Sequence, residues 1–402
     1  MSAASQQPVQ ARTITAVTGA RSDYGILRPI LRRIAEEPTL GLDLMVTGMH
    51  LSPAFGLTVR GIEADGYPIR DRIDCLLAAD TPQAIAHAMG LTVLGFSQAF
   101  ARQMPDVLLL LGDRTETLAA AVAALPFRIP IVHVHGGEVT EGAIDDAARH
   151  CITKLAHLHC VSTGEFGDRV IRMGELPERV HVTGAPGLDA IHETPLFTPA
   201  EFEREFGVPL DEPPIVVTFH PVTREFEKTE RYITSLLDVL ATIPQPIVFT
   251  YPNADTNGRV IIEAIDRFVR VTPRARAVVS LGSRGYFTLM RHAAAMVGNS
   301  SSGLIEAAAF ELPVVNIGTR QAGRPQPRNV IQSGYDTVSI QESLHRALDI
   351  VFRASLAGLV NPYGDGQAAW RIVEILRQVD LERIIRKPFY DGPFSQESRH
   401  AA

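Results

Sequence analysis

Residues 297–307, VGNSSSGLIEA, join an apolar run at 293–297 to a helical pattern over 304–310. A strand that stops in a Ser/Gly turn and restarts as a helix leaves backbone N–H groups and hydroxyls at the helix N-terminus. That combination suits a phosphate or pyrophosphate. Asn299, Ser300, Ser301, Ser302 and Gly303 are therefore candidate anion-binding residues, and Glu306, one turn into the helix, is placed to take two adjacent hydroxyls such as those of a ribose. An ordinary strand–helix turn with a serine N-cap would use the same positions. Three consecutive serines before a glycine favour the phosphate reading.

A second kind of chemistry sits at residues 133–146, HVHGGEVTEGAIDD, a stretch dense in titratable groups. His133 and His135 share one face of a strand, a geometry that serves a metal pair. No third ligand follows at a known spacing. An acid–base cluster of Glu138, Asp145 and Asp146, oriented by the histidines, fits better. Arg149 is a salt-bridge partner for some of these acids, and His150, His157 and His159 read as core or helix-cap histidines.

Single residues at strand ends add to both groups. Arg21 follows Thr18, Gly19 and Ala20, where a first strand–helix loop would offer a phosphate a fork of donors; a solvated loop arginine is the alternative. Asp23 and Tyr24 read equally as a helix cap and a packed ring. Asp113 follows four leucines and a glycine, so it is either a proton carrier whose pKa burial raises or the N-cap of a helix over 115–124. His220 ends an apolar strand and precedes Pro221, placed to donate to a phosphate or position a leaving group. His50, after residues 46–49, is a similar, weaker candidate.

These residues need elements to hold them. Strand patterns at 13–17, 42–46, 107–111, 131–135, 157–161 and 180–182 alternate with helical stretches such as the one carrying Ile26, Leu27, Ile30, Leu31 and Ile34. A proline-rich, acidic stretch over 189–214 contains one short helical candidate at 200–206 and marks a domain boundary. A second series follows at 215–219, 247–251, 277–279, 295–297 and 314–317, and residues 368–379 form an amphipathic helix. Such alternation predicts an α/β chain of two doubly wound, Rossmann-like domains facing a cleft. The N-terminal one covers 13–195 with the acid–base loops, and the C-terminal one covers 210–367. A loose tail precedes them at 1–12, and residues 368–402 form a last helix and tail that pack back on the N-terminal domain. Ligands in open α/β sheets bind at strand C-terminal ends, so the loops at 19–25, 48–52, 112–116, 136–146, 220–224 and 299–306 are expected to converge.

Composition narrows the partners. The 402-residue chain is 46% hydrophobic with a formal net charge of -7, which argues against general nucleic-acid binding. Three cysteines, Cys75, Cys151 and Cys160, are odd in number and form no CxxC, so neither a disulfide framework nor a zinc knuckle is expected. No apolar run reaches bilayer-spanning length and no signal core opens the chain; a cytoplasmic protein without a membrane partner is expected.

Taken together, these stretches resemble the hydrolysing UDP-N-acetylglucosamine 2-epimerases, the sialic-acid and legionaminic-acid pathway branch of the UDP-sugar 2-epimerases. The matching stretches are TGARSDYG from Thr18, VTGMHLS from Val46, LLGDRTE from Leu110 and HGGEVTEGAIDDAARHCITKLAHLH from His135, followed by TGAPGLD from Thr183 and VTFHPVT from Val217. After these come TYPNADTNGR from Thr250, GNSSSGLIEA from Gly298, NIGTRQAGR from Asn316 and NPYGDG from Asn361. The resemblance implies a glycosyltransferase-B type fold and a UDP site mainly in the second domain. Ser300, Ser301 and Ser302 would meet the diphosphate, Glu306 the ribose, and Arg21 and His220 would also reach phosphates. The uracil would lie near Arg284, Tyr286 and Phe287, where Gly282 and Gly285 permit close approach.

The chemistry implied is elimination of UDP as a carboxylate takes the carbon-2 proton, then addition of water to the resulting 2-acetamidoglucal with reprotonation from the opposite face. Asp113, Glu138 and Asp145 would supply the proton carriers, with no metal or redox cofactor, in a homodimer or homotetramer. Two departures stand out: His135 replaces a Glu that some relatives carry before the Gly-Gly pair, moving the proton-carrying role to Glu138, and Ile26 replaces a Lys, implying fewer phosphate contacts. The first expectation is therefore UDP-GlcNAc converted to ManNAc and UDP. The rival is the same reaction on UDP-2,4-diacetamido-2,4,6-trideoxyglucose. A retaining glycosyltransferase and a non-catalytic nucleotide-sugar-binding regulator are the remaining alternatives; neither needs the acidic cluster.

Overall fold

The computed structural model describes residues 11–77, 81–139, 144–222, 227–251, 258–279 and 281–392. Residues 1–10 of the tail expected at 1–12, residues 140–143 of the acidic loop, 223–226 after His220, 252–257 of the motif from Thr250 and the last residues from 393 lie outside the described residues, while Arg12, assigned to that tail, opens the first strand.

Two compact units divide the chain. The first takes the described residues of 1–138, 144–190 and 364–402, and the second those of 139–143 and 191–363. The 191–195 stretch thus travels with the second unit, and the first unit resumes at Gly364, a few residues before the 368 of the sequence-based division.

In the first unit the chain runs β1 (Arg12–Thr18), α1 (Arg21–Glu36), β2 (Leu40–Thr47), α2 (Val59–Ala64), β3 (Ile69–Ile73), α3 (Pro82–Arg102), β4 (Val107–Leu111) and α4 (Thr115–Phe127). It continues through β5 (Ile131–Val134), α5 (Ile144–Leu155), β6 (Leu158–Val161), α6 (Gly164–Arg172), β7 (Val180–Val182) and the start of α7 (Pro186–Glu193), whose residues from Ile191 are counted with the second unit. The seven strands are parallel in the order β3-β2-β1-β4-β5-β6-β7. All five residues of β4 are buried, as a central parallel strand covered on both faces requires. Ile14, Leu44, Leu109 and Val132 pack under α1 on one face, and Met45, Leu108 and Leu110 under α3 and α4 on the other.

α3 corrects one expectation. Its 21 residues are long and apolar enough, by length and composition, to cross a membrane, although most of it lies outside the core. Single uncharged polar residues (Gln83, His87, Thr92, Ser97 and Gln98) break the apolar run in sequence without lowering the mean hydropathy of the helix much.

The second unit contains α8 (Pro199–Phe206), β8 (Ile215–Thr218), α9 (Thr229–Thr242), β9 (Ile247–Thr250), α10 (Gly258–Val271), β10 (Ala275–Val278) and α11 (Gly282–His292). After these come β11 (Ala295–Gly298), α12 (Ser302–Ile305), β12 (Val314–Ile317), β13 (Val330–Ser333), α13 (Thr337–Leu348) and α14 (Ile350–Ala354). Its six strands are parallel in the order β10-β9-β8-β11-β12-β13. The helical pattern over 304–310 is not one helix: α12 stops at Ile305, and residues Ala307–Phe310 form a separate tight turn ending at Glu311, which has φ +53°.

The last helices, α15 (Ala368–Gln378) and α16 (Leu381–Ile384), belong to the first unit. Ala369, Ile372, Val373 and Leu376 join the core beneath α1. Buried Asp189 accepts the N–H groups of Ala368 (3.0 Å) and Ala369 (2.7 Å), satisfying donors that a helix start leaves open. At the far end Arg12 donates to the carbonyls of Leu376 and Val379. Beyond α16, Lys387 donates to the carbonyls of Thr153, Lys154 and Ala156, so this segment caps α5.

Lys387 also pairs at 2.8 Å with Glu175, a fully buried carboxylate that takes Lys154 at 2.5 Å and His159 at 3.0 Å as well. Burial alone would raise the Glu175 pKa, but hydrogen bonds from His159, Lys154 and Lys387 hold it at about 2. The folded value lies below the unfolded one, so the stabilisation is complete above the ordinary glutamate range and is lost as pH falls toward 2. It amounts to roughly 3 kcal/mol. Glu175→Gln should therefore destabilise the first unit at neutral pH, and its deficit against wild type should shrink as pH falls through 4 to 2. Denaturant titrations followed by the chain's single tryptophan, Trp370 on α15, measure this. A deficit independent of pH would refute the ionised state of Glu175.

Candidate functional site

In both sheets the strand order reverses at one place, between β1 and β4 in the first unit and between β8 and β11 in the second. Loops leaving neighbouring strands diverge at such switch points and open a crevice at the strand C-terminal ends. The loops there carry Arg21 and Asp113 in the first unit, and His220 and residues 299–302 in the second.

In the first unit Arg21 opens α1 and is exposed. Asp23 is turned inward to Arg114, whose Nε donates to Asp23 Oδ1 at 3.0 Å, and burial raises the Asp23 pKa against that pairing. Arg114 also feels the charge of Asp145, and the Glu116 side chain packs against Gly19 and Gly48. The loops after β1, β2 and β4 are thus tied by charge and contact. No local feature marked Arg114; only its distant acidic partner gives it meaning.

Asp113 is not a helix cap. The N-cap of α4 is Arg114, with no side-chain cap bond, and Asp113 instead accepts a hydrogen bond from Arg149 of α5. Arg149, expected to serve the acids of its own segment, is buried and reaches back to the β4 loop. Asp145 and Asp146 occupy the first turn of α5, where carboxylates complement the helix dipole, and Asp146 lies 3.6 Å from His150.

His133 and His135 do not share a strand face. β5 ends at Val134, and His135 takes φ +65°, so its ring turns out of the strand. His133 stays inside, with Nε2 2.8 Å from the Gly112 carbonyl and Nδ1 3.2 Å from Thr153 Oγ1. Burial lowers its pKa to about 3, so it is a neutral strut beneath the Asp113 loop. His135 Nδ1 lies 2.5 Å from Glu138 Oε1, which also accepts from Ser162 Oγ at 3.0 Å. His135 Nε2 is buried with no hydrogen-bond partner among the described residues. The turn depends on Gly137 (φ +75°), where a Cβ would lie 2.4 Å from the Phe166 carbonyl oxygen. Among the described residues no three His, Cys, Asp or Glu side chains converge as a metal site requires.

His50 is a structural histidine. Its ring is completely buried, with Nε2 3.0 Å from Thr18 Oγ1 and Nδ1 2.7 Å from Thr58 Oγ1, and burial lowers its pKa to about 4. Both ring nitrogens are occupied within the fold. Tyr24 meets the ring of His50 edge-on and donates to Asp65 at 2.6 Å, so it is the packed ring.

In the second unit Asn299 is engaged within the fold. Its buried side chain accepts the His220 N–H at 2.7 Å and donates to the His220 carbonyl at 2.9 Å. Its own carbonyl accepts from Arg320 at 3.0 Å and Gln321 at 2.9 Å. Asn299 therefore clamps the two switch-point loops together. The clamp needs close strands: Gly298 has φ +142°, and a Cβ there would lie 1.9 Å from the Thr218 carbonyl oxygen. His220 is buried with its pKa lowered to about 3 by desolvation and by Arg320, so its ring is neutral; Nδ1 has no partner among the described residues.

Ser300 Oγ accepts the Ser302 N–H at 3.3 Å, and Gly303 packs against Val314. Tyr286 presents its hydroxyl among Ser302, Thr218 and Glu306, and burial raises its pKa to about 12. Asn361 donates to the Ile305 carbonyl at 2.8 Å, fixing the end of α12 beside Glu306. Phe287 is buried against Phe310. Arg284 leaves this group: its guanidinium stacks over Phe197 at 3.7 Å and lies 3.9 Å from Glu201. Gly285 faces Phe206, so the glycine admits an aromatic ring of the same unit.

Residues 32–377 match the family model described as UDP-N-acetylglucosamine 2-epimerase. A Legionella pneumophila protein named UDP-N,N'-diacetylbacillosamine 2-epimerase (hydrolyzing) is 38% identical over 92% of this chain and 97% of its own length. A Campylobacter jejuni protein named GDP/UDP-N,N'-diacetylbacillosamine 2-epimerase (hydrolyzing) is 36% identical over 94% of this chain and 99% of its own. The solved structure of UDP-GlcNAc 2-epimerase from Neisseria meningitidis bound to UDP-GlcNAc is similar in fold, with TM-score 0.79 and 18% identity over 90% of this chain and 99% of that one.

Proposed function

Because the chain belongs to the UDP-N-acetylglucosamine 2-epimerase family, we propose that it is a hydrolysing 2-epimerase acting on UDP-2,4-diacetamido-2,4,6-trideoxyglucose, in legionaminic-acid-type synthesis. The observation that carries the substrate is the 38% identity, over nearly the full length of both chains, to a relative named for UDP-N,N'-diacetylbacillosamine, which is that sugar. It supports that sugar over UDP-GlcNAc, which the family's description keeps as the second reading.

The serine loop after β11, with the neutral His220, takes the diphosphate, and Glu306 takes the ribose. Asp113 and Glu138 carry the protons. One removes the proton from carbon 2 as the bond from carbon 1 to UDP breaks, leaving a carbon 1–carbon 2 double bond. Water then adds its oxygen to carbon 1 while the other acid protonates carbon 2 from the opposite face. The balance is one UDP-sugar and one water to UDP and a free sugar inverted at carbon 2. Arg149 neutralises Asp113, and His135 with Ser162 orients Glu138. Asp145 and Asp146 hold the α5 start and bear on Arg114 and His150.

A proton NMR time course in deuterium oxide, run separately with each UDP-sugar, tests this. Free UDP, a manno-configured sugar and deuterium at carbon 2 are expected, faster with the diacetamido substrate. A faster UDP-GlcNAc reaction would reverse the substrate assignment, and UDP release without deuterium at carbon 2 would remove the epimerase reading.

A further inference from the structure

His135 sits where a residue other than glycine rarely goes. Its backbone has φ +65°, a left-handed conformation that costs energy and that histidine tolerates better than most side chains. The surroundings impose it. The His135 N–H donates to the Cys160 carbonyl at 3.1 Å, Gly137 (φ +75°) completes the turn, and Arg169 donates to the Gly137 carbonyl. The ring so held has two unlike ends. Nδ1 lies 2.5 Å from Glu138 Oε1, while Nε2 is buried with no partner among the described residues. A buried polar atom without a hydrogen bond is rare because it has given up water for nothing, so Nε2 is held for a partner that arrives with the reaction. Glu138 is the deeper of the two, buried where His135 is partly exposed. Its Oε1 takes Ser162 as well as His135, which fills both lone pairs of that oxygen. We propose that His135 Nε2 is the atom that exchanges a proton with carbon 2 of the sugar, and that Glu138 carries that proton only as a pair with His135. The inference rests on the epimerase reading above and names the reacting atom within it.

Strand register brings the pair beside the other proton carrier. Leu111 of β4 lies opposite Val134 of β5, and the Gly112 N–H donates to the Val134 carbonyl at 3.0 Å. Asp113 and His135 therefore lead out of neighbouring strands, which are spaced about 5 Å apart, and one sugar ring at these strand ends meets both. As a carboxylate Glu138 only accepts, so Nδ1 carries the hydrogen and Nε2 the lone pair. Nε2 takes the proton from carbon 2, the C–H electron pair becomes the carbon 1–carbon 2 double bond, and the electrons of the carbon 1–oxygen bond leave with UDP. The ring is then an imidazolium, and the Glu138 carboxylate neutralises it through Nδ1–H, as a carboxylate does for a catalytic histidine in other folds. Where the pair protonates carbon 2 instead, the same transfers run backwards. Between turnovers the pair exchanges its proton with water.

Two variants, run beside wild type in the deuterium oxide assay, test this. His135→Asn keeps what orienting Glu138 requires, because its amide N–H falls near the Nδ1 position and Asn accepts a positive φ. It lacks the second nitrogen. Turnover is expected to fall about 10²–10⁴-fold, with UDP affinity within a few-fold of wild type and an unchanged circular dichroism spectrum. His135→Gly suits φ +65° equally and leaves a space the size of the ring. Imidazole in the buffer should raise its turnover at least about tenfold. 1-Methylimidazole should not, because it has no N–H to turn toward Glu138 when its basic nitrogen meets the sugar. Turnover of His135→Asn within about threefold of wild type would make His135 an orienter of Glu138 and overturn the proposal. So would a His135→Gly variant that imidazole leaves unchanged, or that both imidazoles restore equally. A wild type that releases UDP without deuterium at carbon 2 is a separate result, removing the epimerase reading and this proton transfer with it.

Discussion

Glu138→Gln is expected to lower turnover of the preferred UDP-sugar by about 10²–10⁴-fold, the range for removing a positioned general acid or base, while UDP affinity stays within a few-fold. The substitution is close to isosteric. A glutamine oxygen still accepts from Ser162 Oγ and faces His135 Nδ1, so the turn anchored by Gly137 has no reason to move. What is lost is the capacity to hold and release a proton. Asp113→Asn should cost a similar factor for the same reason, and it also removes the negative charge that faces buried Arg149, so part of its effect will appear as lower stability. The two variants separate the steps. If Glu138 acts only in hydration, its Gln variant releases UDP and the unsaturated sugar, visible as a vinyl proton signal. If it removes the carbon-2 proton, neither UDP nor the unsaturated sugar appears. Turnover by Glu138→Gln within about threefold of wild type would exclude Glu138 as a proton carrier.

Much of this frame is visible from residue order alone, for physical reasons that also set its limit. A central parallel strand is buried on both faces, so β4 reads as an unbroken apolar run and its bounds at 107–111 are evident. β3, IRDRI, sits at the sheet edge with Arg70 and Asp71 partly buried in ion pairs, so its apolar content is too low to announce a strand. β13, VIQS, at the other sheet's edge, escapes for the same reason. The loops are legible because glycines and serines are local signatures of tight turns and anion cradles. Pairings are not local. Asp113 meets Arg149 across 36 positions, Asn299 meets His220 across 79, and Asp23 meets Arg114 across 91. Only the sheet order brings these together, which is why Arg114 was invisible. Asn299 and His50 read from sequence as ligand contacts, and their roles within the fold, a clamp and a packed ring, rest on partners equally remote from any local signature.

Asn299→Ala is the sharpest test of that clamp. It removes both the acceptor of the His220 N–H and the donor to the His220 carbonyl. Each buried backbone group left unpaired costs about 1–3 kcal/mol, so the second unit should lose roughly 2–6 kcal/mol. Under the proposed function UDP binding should weaken at least about tenfold, because His220 and the serine loop would no longer be held in one geometry. Asn299→Asp should not rescue it. A carboxylate still accepts the His220 N–H, but it sets a second oxygen against the His220 carbonyl where an amide donor is required. Titration calorimetry with UDP, combined with calorimetric melting, separates two roles. A lower melting temperature with UDP affinity unchanged in the folded protein would make Asn299 a purely structural residue. Loss of both would tie the geometry of the switch point, rather than its bulk stability alone, to recognition of the diphosphate. Wild-type behaviour in both measurements would mean that the loops after β8 and β11 hold their positions without the clamp.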